Sequence, residues 1–347
     1  MSDYSISQIH PSDKRGLAQI DALLQKEGIC RDGNLDYICA MYDGNDHIIA
    51  TGSCFGPTLR CFAVSSEHQG EGLLNEIISH LMEVQYARGN MHLFLYTKIK
   101  SARFFGDLGF YEIARVDGTL VFMENRKSGF PGFLKSLERT KRDGVSAALV
   151  MNANPFTLGH QYLVETAAKN CDTLHLFVLS EDASFVPFAV RKRLVREGTA
   201  HIPNVVLHDS GPYIISSATF PSYFLKDEAA VIDGHARLDL AVFTKIAQAL
   251  GVTERYVGEE PTSQVTGLYN EIMVRELPKA GIRCHVIPRK EAAGKPISAS
   301  TVRVSLQNGD WETLKTLVPS TTYQYFTSAE AAPILERIRR AGNVVHY

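Results

Sequence analysis

Ala147-Ala148-Leu149-Val150-Met151 is followed by Asn152-Ala153-Asn154-Pro155-Phe156-Thr157-Leu158-Gly159-His160, then by Gln161-Tyr162-Leu163-Val164-Glu165-Thr166-Ala167-Ala168. The order reads as a short buried strand, a turn and a helix. Pro155 bars continuation of the strand and fixes φ in the turn. A helix start presents unpaired N–H groups and the positive end of the helix dipole, so it is a ready anion site. Thr157 and His160 stand three apart across that start, and in a tight turn both can face one phosphate. Gly159 lacks a Cβ, which lets the backbone approach a ligand closely. A His beside a nucleotide α-phosphate can donate a hydrogen bond to the charge that builds in displacement, which is catalysis by positioning with no covalent step. Asn154, Phe156 and Gly159 are expected to shape the nucleotide side of the turn.

About 140 residues further on comes Ile297-Ser298-Ala299-Ser300-Thr301-Val302-Arg303. Ser298 or Ser300 can cap a helix that begins near Thr301. The hydroxyls, the free N–H groups and Arg303 then converge on an anion. Two helix starts, one for the α-phosphate and one for outgoing pyrophosphate, suit a reaction that splits ATP between α and β. Each stretch alone is an ordinary helix start; together, in this order and at strand–helix junctions, they point to a nucleotide site.

Thr157-Leu158-Gly159-His160 resembles the (H/T)-x-G-H signature of the nucleotidyltransferase superfamily, and Ile297 to Arg303 resembles its I-S-S-T-x-x-R signature. The wider chain resembles the citrate lyase synthetase family, the [citrate (pro-3S)-lyase] ligases. Asn152 to His160, Thr219-Phe220-Pro221-Ser222-Tyr223-Phe224-Leu225-Lys226 and Val257-Gly258-Glu259-Glu260-Pro261 carry that likeness, which extends over nearly all 347 residues. The resemblance implies that ATP, arriving with Mg2+, and acetate give acetyl-adenylate and pyrophosphate. The acetyl group then passes to a thiol on the prosthetic group of the citrate lyase acyl-carrier (gamma) subunit. It implies that His160 and Thr157 stabilise the α-phosphate, that Ser300, Thr301 and Arg303 hold pyrophosphate, that Ser298 belongs to the ATP site, and that Lys226 faces substrate. The residues alone equally allow Lys226 to be a surface lysine. Three other functions stay open: a tRNA cytidine acetate ligase, an adenylyltransferase for a coenzyme precursor, and a nucleotide-binding regulator without turnover.

A length of 347 residues suggests two domains. With 36 Lys and Arg against 38 Asp and Glu, the net charge of −2 argues against broad nucleic-acid binding, which needs a basic face. The six cysteines show no C-x-x-C spacing, as in a reduced cytoplasmic protein, and are expected as small apolar side chains. Scattered histidines such as His208 and His235 lack ligand spacing, so no protein-held metal site is expected. Met1 to Pro11 carries no apolar segment of the signal-peptide kind, and no run approaches the ~18 apolar residues of a membrane span.

Residues 1–125 read as a separate α/β unit. Strands are expected at 36–42, 47–52, 59–64 and 93–97, and a helix at about 73–88 has an apolar face of Leu74, Ile77, Ile78, Leu81 and Val84. The arrangement resembles the Gcn5-related N-acetyltransferase (GNAT) fold. Gln69-Gly70-Glu71-Gly72 matches the start of the loop that cradles coenzyme A pyrophosphate in that fold, and Phe105 with Leu108-Gly109-Phe110 matches its later helix. Leu74 departs from the pattern, where the loop calls for Gly or Ala. The unit either holds the arm of a carrier's prosthetic group through Gln69, Gly70 and Gly72, or is a structural or docking domain; independent acetyltransferase activity is a third reading.

Residues 126–143 read as a linker, with Phe130-Pro131-Gly132-Phe133 interrupting any long element. From 144 to 347 the chain alternates strand and helix, which predicts a Rossmann-like nucleotidyltransferase domain on a parallel sheet. Both motifs then fall at the carboxyl edge of that sheet, where such folds bind ligands. Gly258-Glu259-Glu260 ends the fourth strand, placed to meet ribose or adenine or, equally, to cap a helix. Arg191 and Arg193 open a helix, and either could reach the β- and γ-phosphates.

Overall fold

The computed structural model describes residues 4–181, 184–214, 228–260 and 264–344. The chain forms two compact units: residues 1–133 with 219–241, and residues 134–218 with 242–347.

The first unit runs β1 (Ser5–Gln8), α1 (Lys14–Lys26), β2 (Tyr37–Tyr42), β3 (Ile48–Phe55), β4 (Thr58–Val64), α2 (Leu73–Ala87), β5 (Phe94–Thr97), α3 (Ile99–Asp107), β6 (Tyr111–Val116) and β7 (Leu120–Glu124). Its sheet has the order β1-β2-β3-β4-β5-β7-β6. Every neighbouring pair is antiparallel except β4 and β5, which pair in parallel only at Thr58↔Phe94 and Leu59↔Leu95. A register shift between β3 and β4, with Cys61 at φ 53°, is the bulge that bends β4. Both faces of β2 are buried. Ile38 and Ala40 pack with Ile20, Leu23 and Leu24 of α1, while Cys39 and Met41 pack with Ile77, Ile78 and Leu81 of α2. That explains why the strand is an apolar run and not an alternation. The expected GNAT-like α/β class is the one observed. The helix α1 went unread in the sequence, although Asp13 caps it and Leu17, Ile20, Leu23 and Leu24 give it a helical apolar period.

Phe130-Pro131-Gly132-Phe133, expected to interrupt any long element, instead lies within the helix α4 (Gly129–Glu138). Pro131 falls in the first turn, where its missing N–H costs nothing. The buried Glu124 carboxylate accepts from Phe130 N at 2.6 Å and so caps the helix from the end of β7. A Cβ on Gly129 would sit 2.1 Å from Glu124 Oε2, which is why glycine stands there.

The second unit holds β8 (Ser146–Met151), α5 (Leu158–Ala168), β9 (Thr173–Val178), α6 (Phe188–Gly198), β10 (Val205–Asp209), the end of α7 (Glu228–Leu250), β11 (Val252–Gly258), α8 (Gln264–Glu276) and β12 (Arg283–Ile287). A two-stranded hairpin of β13 (Glu291–Ala292) and β14 (Lys295–Pro296) follows. The helices α9 (Ala299–Asn308), α10 (Trp311–Leu317), α11 (Ser320–Thr327) and α12 (Ala332–Arg340) complete the unit. The five long strands pair in parallel in the order β10-β9-β8-β11-β12. The Rossmann-like expectation holds. Strand order reverses between β8 and β11, and a ligand crevice opens outside the carboxyl ends at such a switch point. The core on one face joins Leu149, Leu174, Leu176 and Val164 to Val302 and Leu306 of α9 and Ile334 and Ile338 of α12. The last helices thus close this core.

Candidate active site

Thr157 is the N-cap of α5. Its Oγ accepts from His160 N at 3.2 Å, and its own N–H donates to His160 Nδ1 at 3.1 Å. This is a reciprocal capping box with His in place of the usual Glu or Gln. A backbone N–H can only donate, so Nδ1 is an acceptor and the ring proton sits on Nε2. The Thr157 hydroxyl, 2.9 Å from Nδ1, then donates to it as well. Loss of solvent, and secondarily the Arg289 charge, push the His160 pKa down to about 4, so the ring is neutral at pH 7. It stacks on the buried Phe156, centroids 5.9 Å apart and 16° from parallel. The result is a fixed, uncharged imidazole whose Nε2–H binds no described residue.

At the second helix start, Ser298 is the N-cap of α9 and accepts from Thr301 N at 3.1 Å. The hydroxyls of Ser300 and Thr301 each lie 2.8 Å from Ser298 Oγ. The two starts meet. A Cβ on Gly159 would lie 3.1 Å from Ile297 O and 3.6 Å from Ile297 Cβ. The space that a side chain at Gly159 would take is therefore occupied by the second motif.

Several expected contacts are spent elsewhere. Arg303 is buried, donating from Nε to Val344 O and from Nη1 to Asn154 O, both at 2.6 Å. It ties α9 to the turn that carries Thr157. Asn154 is buried in that turn, beside a cis Asn154–Pro155 bond and Ala153 at φ 54°, and its Oδ1 accepts from Val186 N at 3.0 Å. Arg191 is wholly buried. Its guanidinium donates to the carbonyls of Val186, Asn152, Leu179 and Glu181 and to Asn152 Oδ1, so it braces the loops and is not aimed at phosphate. Arg193 pairs with Glu330 at 3.0 Å. Phe156 is a core side chain, fully enclosed. Gly258 ends β11 and gives its carbonyl to Asn270 at 3.0 Å. Glu260 forms an ion pair with Arg289, which also donates to Glu259 O at 2.8 Å. Lys226 and the segment around it lie outside the described residues.

The sequence reading missed Arg289. The signal was present: Ile287-Pro288-Arg289-Lys290 places two cations just past the carboxyl end of the fifth strand. In the first unit, Gln69, Gly70 and Gly72 are exposed on the loop before α2; Gly70 (φ 91°) and Gly72 (φ 81°) take left-handed conformations, and Gly72 is the α2 N-cap. Leu74 turns partly inward against the core.

The cysteines divide. Cys39, Cys54 and Cys61 are buried as expected, Cys171 and Cys284 partly so, and Cys30 is exposed. Among the described residues no group of His, Cys, Asp and Glu is arranged to hold a metal, and no helix is long and apolar enough to cross a membrane.

A parallel sheet with its switch point between β8 and β11, and two helix starts abutting at its carboxyl edge, define an α/β enzyme with a nucleotidyltransferase-type domain. Residues 146–326 match the family described as citrate lyase ligase C-terminal domain. The chain is 37% identical over 321 residues to the [citrate [pro-3S]-lyase] ligase of Haemophilus influenzae, covering 90% of this chain and 96% of that one. It is 36% identical over 326 residues to that of Escherichia coli, covering 92% of each. Among solved structures, a GNAT-family acetyltransferase from Staphylococcus aureus matches at 13% identity and TM-score 0.30, covering 35% of this chain and 99% of that chain. The chain belongs to the [citrate (pro-3S)-lyase] ligase family.

Proposed function

We propose that this enzyme activates acetate with ATP and acetylates the acyl-carrier subunit of citrate lyase. The observation that supports it most is the contact of the α5 start with the α9 start at the sheet's switch point, which gives two adjacent anion sites in one crevice. In the first half-reaction an acetate oxygen attacks the α-phosphorus, and the bond to the β-phosphate oxygen breaks. Acetyl-adenylate forms and pyrophosphate leaves. His160 Nε2–H and the α5 N–H groups stabilise charge on the α-phosphate, while Ser298, Ser300 and Thr301 receive the pyrophosphate. In the second half-reaction a carrier thiol attacks the acetyl carbonyl; AMP leaves and the thiol proton passes to solvent.

ATP fits the site by its chemistry: a neutral donor, free N–H groups and clustered hydroxyls all suit phosphate oxygens. Mg2+ would come with the phosphates, held by them and by water, because the described residues offer no carboxylate cage. Burial pushes the thiols of Cys39 and Cys61 up to about 12 and those of Cys54 and Cys171 up to about 11. None of these four suits a nucleophile at neutral pH, in keeping with a thiol supplied by the carrier. The Gln69–Gly72 loop is proposed to receive the carrier's prosthetic arm, and the enzyme is proposed to work in the cytoplasm.

The test is pyrophosphate release from ATP and acetate, with and without deacetylated carrier. Acetate-dependent release, raised by carrier with AMP formed in step, supports the reading. Release that requires a tRNA or a coenzyme precursor in place of carrier would refute it, and so would ATP binding with no turnover.

A further inference from the structure

The family signature offers Arg303 as the cation for the phosphates, yet the structure turns Arg303 inward onto two carbonyls and buries it. Of the other two candidates, Arg191 is enclosed by oxygen acceptors of its own loops, and Arg193 pairs with Glu330. Phosphate chains in such sites are met by a cation with donors to spare.

Arg289 fits that description. It follows β12 at the carboxyl edge of the sheet. The β13–β14 hairpin turns back at Ala293 (φ 50°) and Gly294 (φ 74°), and Ile297 N donates to Lys290 O at 2.9 Å. Antiparallel pairing continued by one step sets Arg289 beside Ser298, the α9 cap. Ile297 in turn abuts Gly159, the neighbour of His160. A guanidinium has five N–H donors. Arg289 uses one on Glu259 O and one on Glu260, and is partly exposed. Three N–H donors therefore make no bond to any described residue, on a residue whose backbone lies opposite the α9 cap.

We propose, resting on the reading of the site as an ATP site, that Arg289 contacts the phosphate chain of the nucleotide, with Glu260 fixing its guanidinium. Glu260 thus serves the phosphates through Arg289. Arg303 is a positioning residue that holds the Asn154 turn.

Isothermal titration of the full-length protein with magnesium-ATP and, separately, with adenosine tests the assignment. Arg289→Ala should weaken ATP binding roughly 10- to 100-fold, the effect of losing charge-assisted hydrogen bonds. Adenosine affinity should stay within about twofold, since adenosine carries no phosphate. Arg289→Lys, which keeps the charge but loses the fork, should fall between. Arg289→Gln is shorter but keeps a donor at the Nε position for Glu259 O, and serves if the alanine variant fails to fold. ATP affinity unchanged in a variant whose wild type binds ATP would overturn this assignment alone. Equal losses for ATP and adenosine would also overturn it, by showing that Arg289 only holds the crevice together. A wild type that binds no ATP would remove the underlying reading as well.

Discussion

Two substitutions at His160 separate its two jobs. The ring accepts through Nδ1 from Thr157 N and from the Thr157 hydroxyl, and offers Nε2–H outward. Asparagine places an acceptor near the Nδ1 position and nothing near Nε2. Glutamine, the usual residue at this position of a capping box, can accept from Thr157 N through Oε1 or reach toward the Nε2 position with its amide N–H, but not both at once. His160→Asn should therefore preserve the fold and lower kcat for acetate-dependent pyrophosphate release by about 10²- to 10³-fold, the effect of removing one transition-state donor. His160→Gln should retain much more of the rate, at a stability cost no greater than the ~0.5–2 kcal/mol of a lost cap. Because the ring's pKa is pushed down to about 4, its neutral form dominates above about pH 5. Wild-type kcat should show no inflection from this group between pH 5 and 8. The assay is steady-state pyrophosphate release at saturating ATP and acetate, with a urea melt of each variant. A kcat for His160→Asn within a few-fold of wild type would refute the donor role, whatever the melt showed.

Two further perturbations test the frame around the site. His175 and His208 lie buried on β9 and β10 with ring nitrogens 3.0 Å apart, and burial pushes each down to about 4. The unfolded chain, with its histidines near 6.5, then binds more protons between pH 6.5 and 4, so their contribution is complete above about 6.5 and is lost as pH falls toward 4. The loss approaches about 1.4 kcal/mol per pH unit for each proton; urea melts across this range should show a shallower slope for His208→Phe, and equal slopes would refute the argument. Arg303→Lys should destabilise by about 2–4 kcal/mol, because lysine cannot fork between Asn154 O and Val344 O. A Lys variant with wild-type melting behaviour would show that the fork is dispensable.

The strand, turn and helix from Ala147 to Ala168 were legible because three local signals agree there: an apolar run, Pro155 and a Thr cap. The parallel sheet followed from alternation alone. The fate of the arginines was not legible. Arg191 and Arg303 read as cations for phosphate because nothing local to them shows that carbonyls 39 and 149 positions away, respectively, accept their hydrogen bonds. Arg289 was overlooked for the complementary reason, since its partners, Glu259 and Glu260, lie about 30 residues upstream. The 129–138 helix was misread because Pro and Gly signal a break only when they fall inside a helix. Here Pro131 falls in the first turn, and the cap comes from Glu124 on the preceding strand.

The 3.1 Å approach of Ile297 O to the position a Gly159 side chain would take means that the two motifs behave as one machined part. Neither can be tuned separately: a methyl group at 159 would press on the carbonyl that leads into the Ser298 cap, and a shift of that carbonyl would open a gap under His160. Substitutions at the two stretches should then combine non-additively, although about 140 residues of chain separate them. The segments between can accept change so long as they return Ile297 to the same spot.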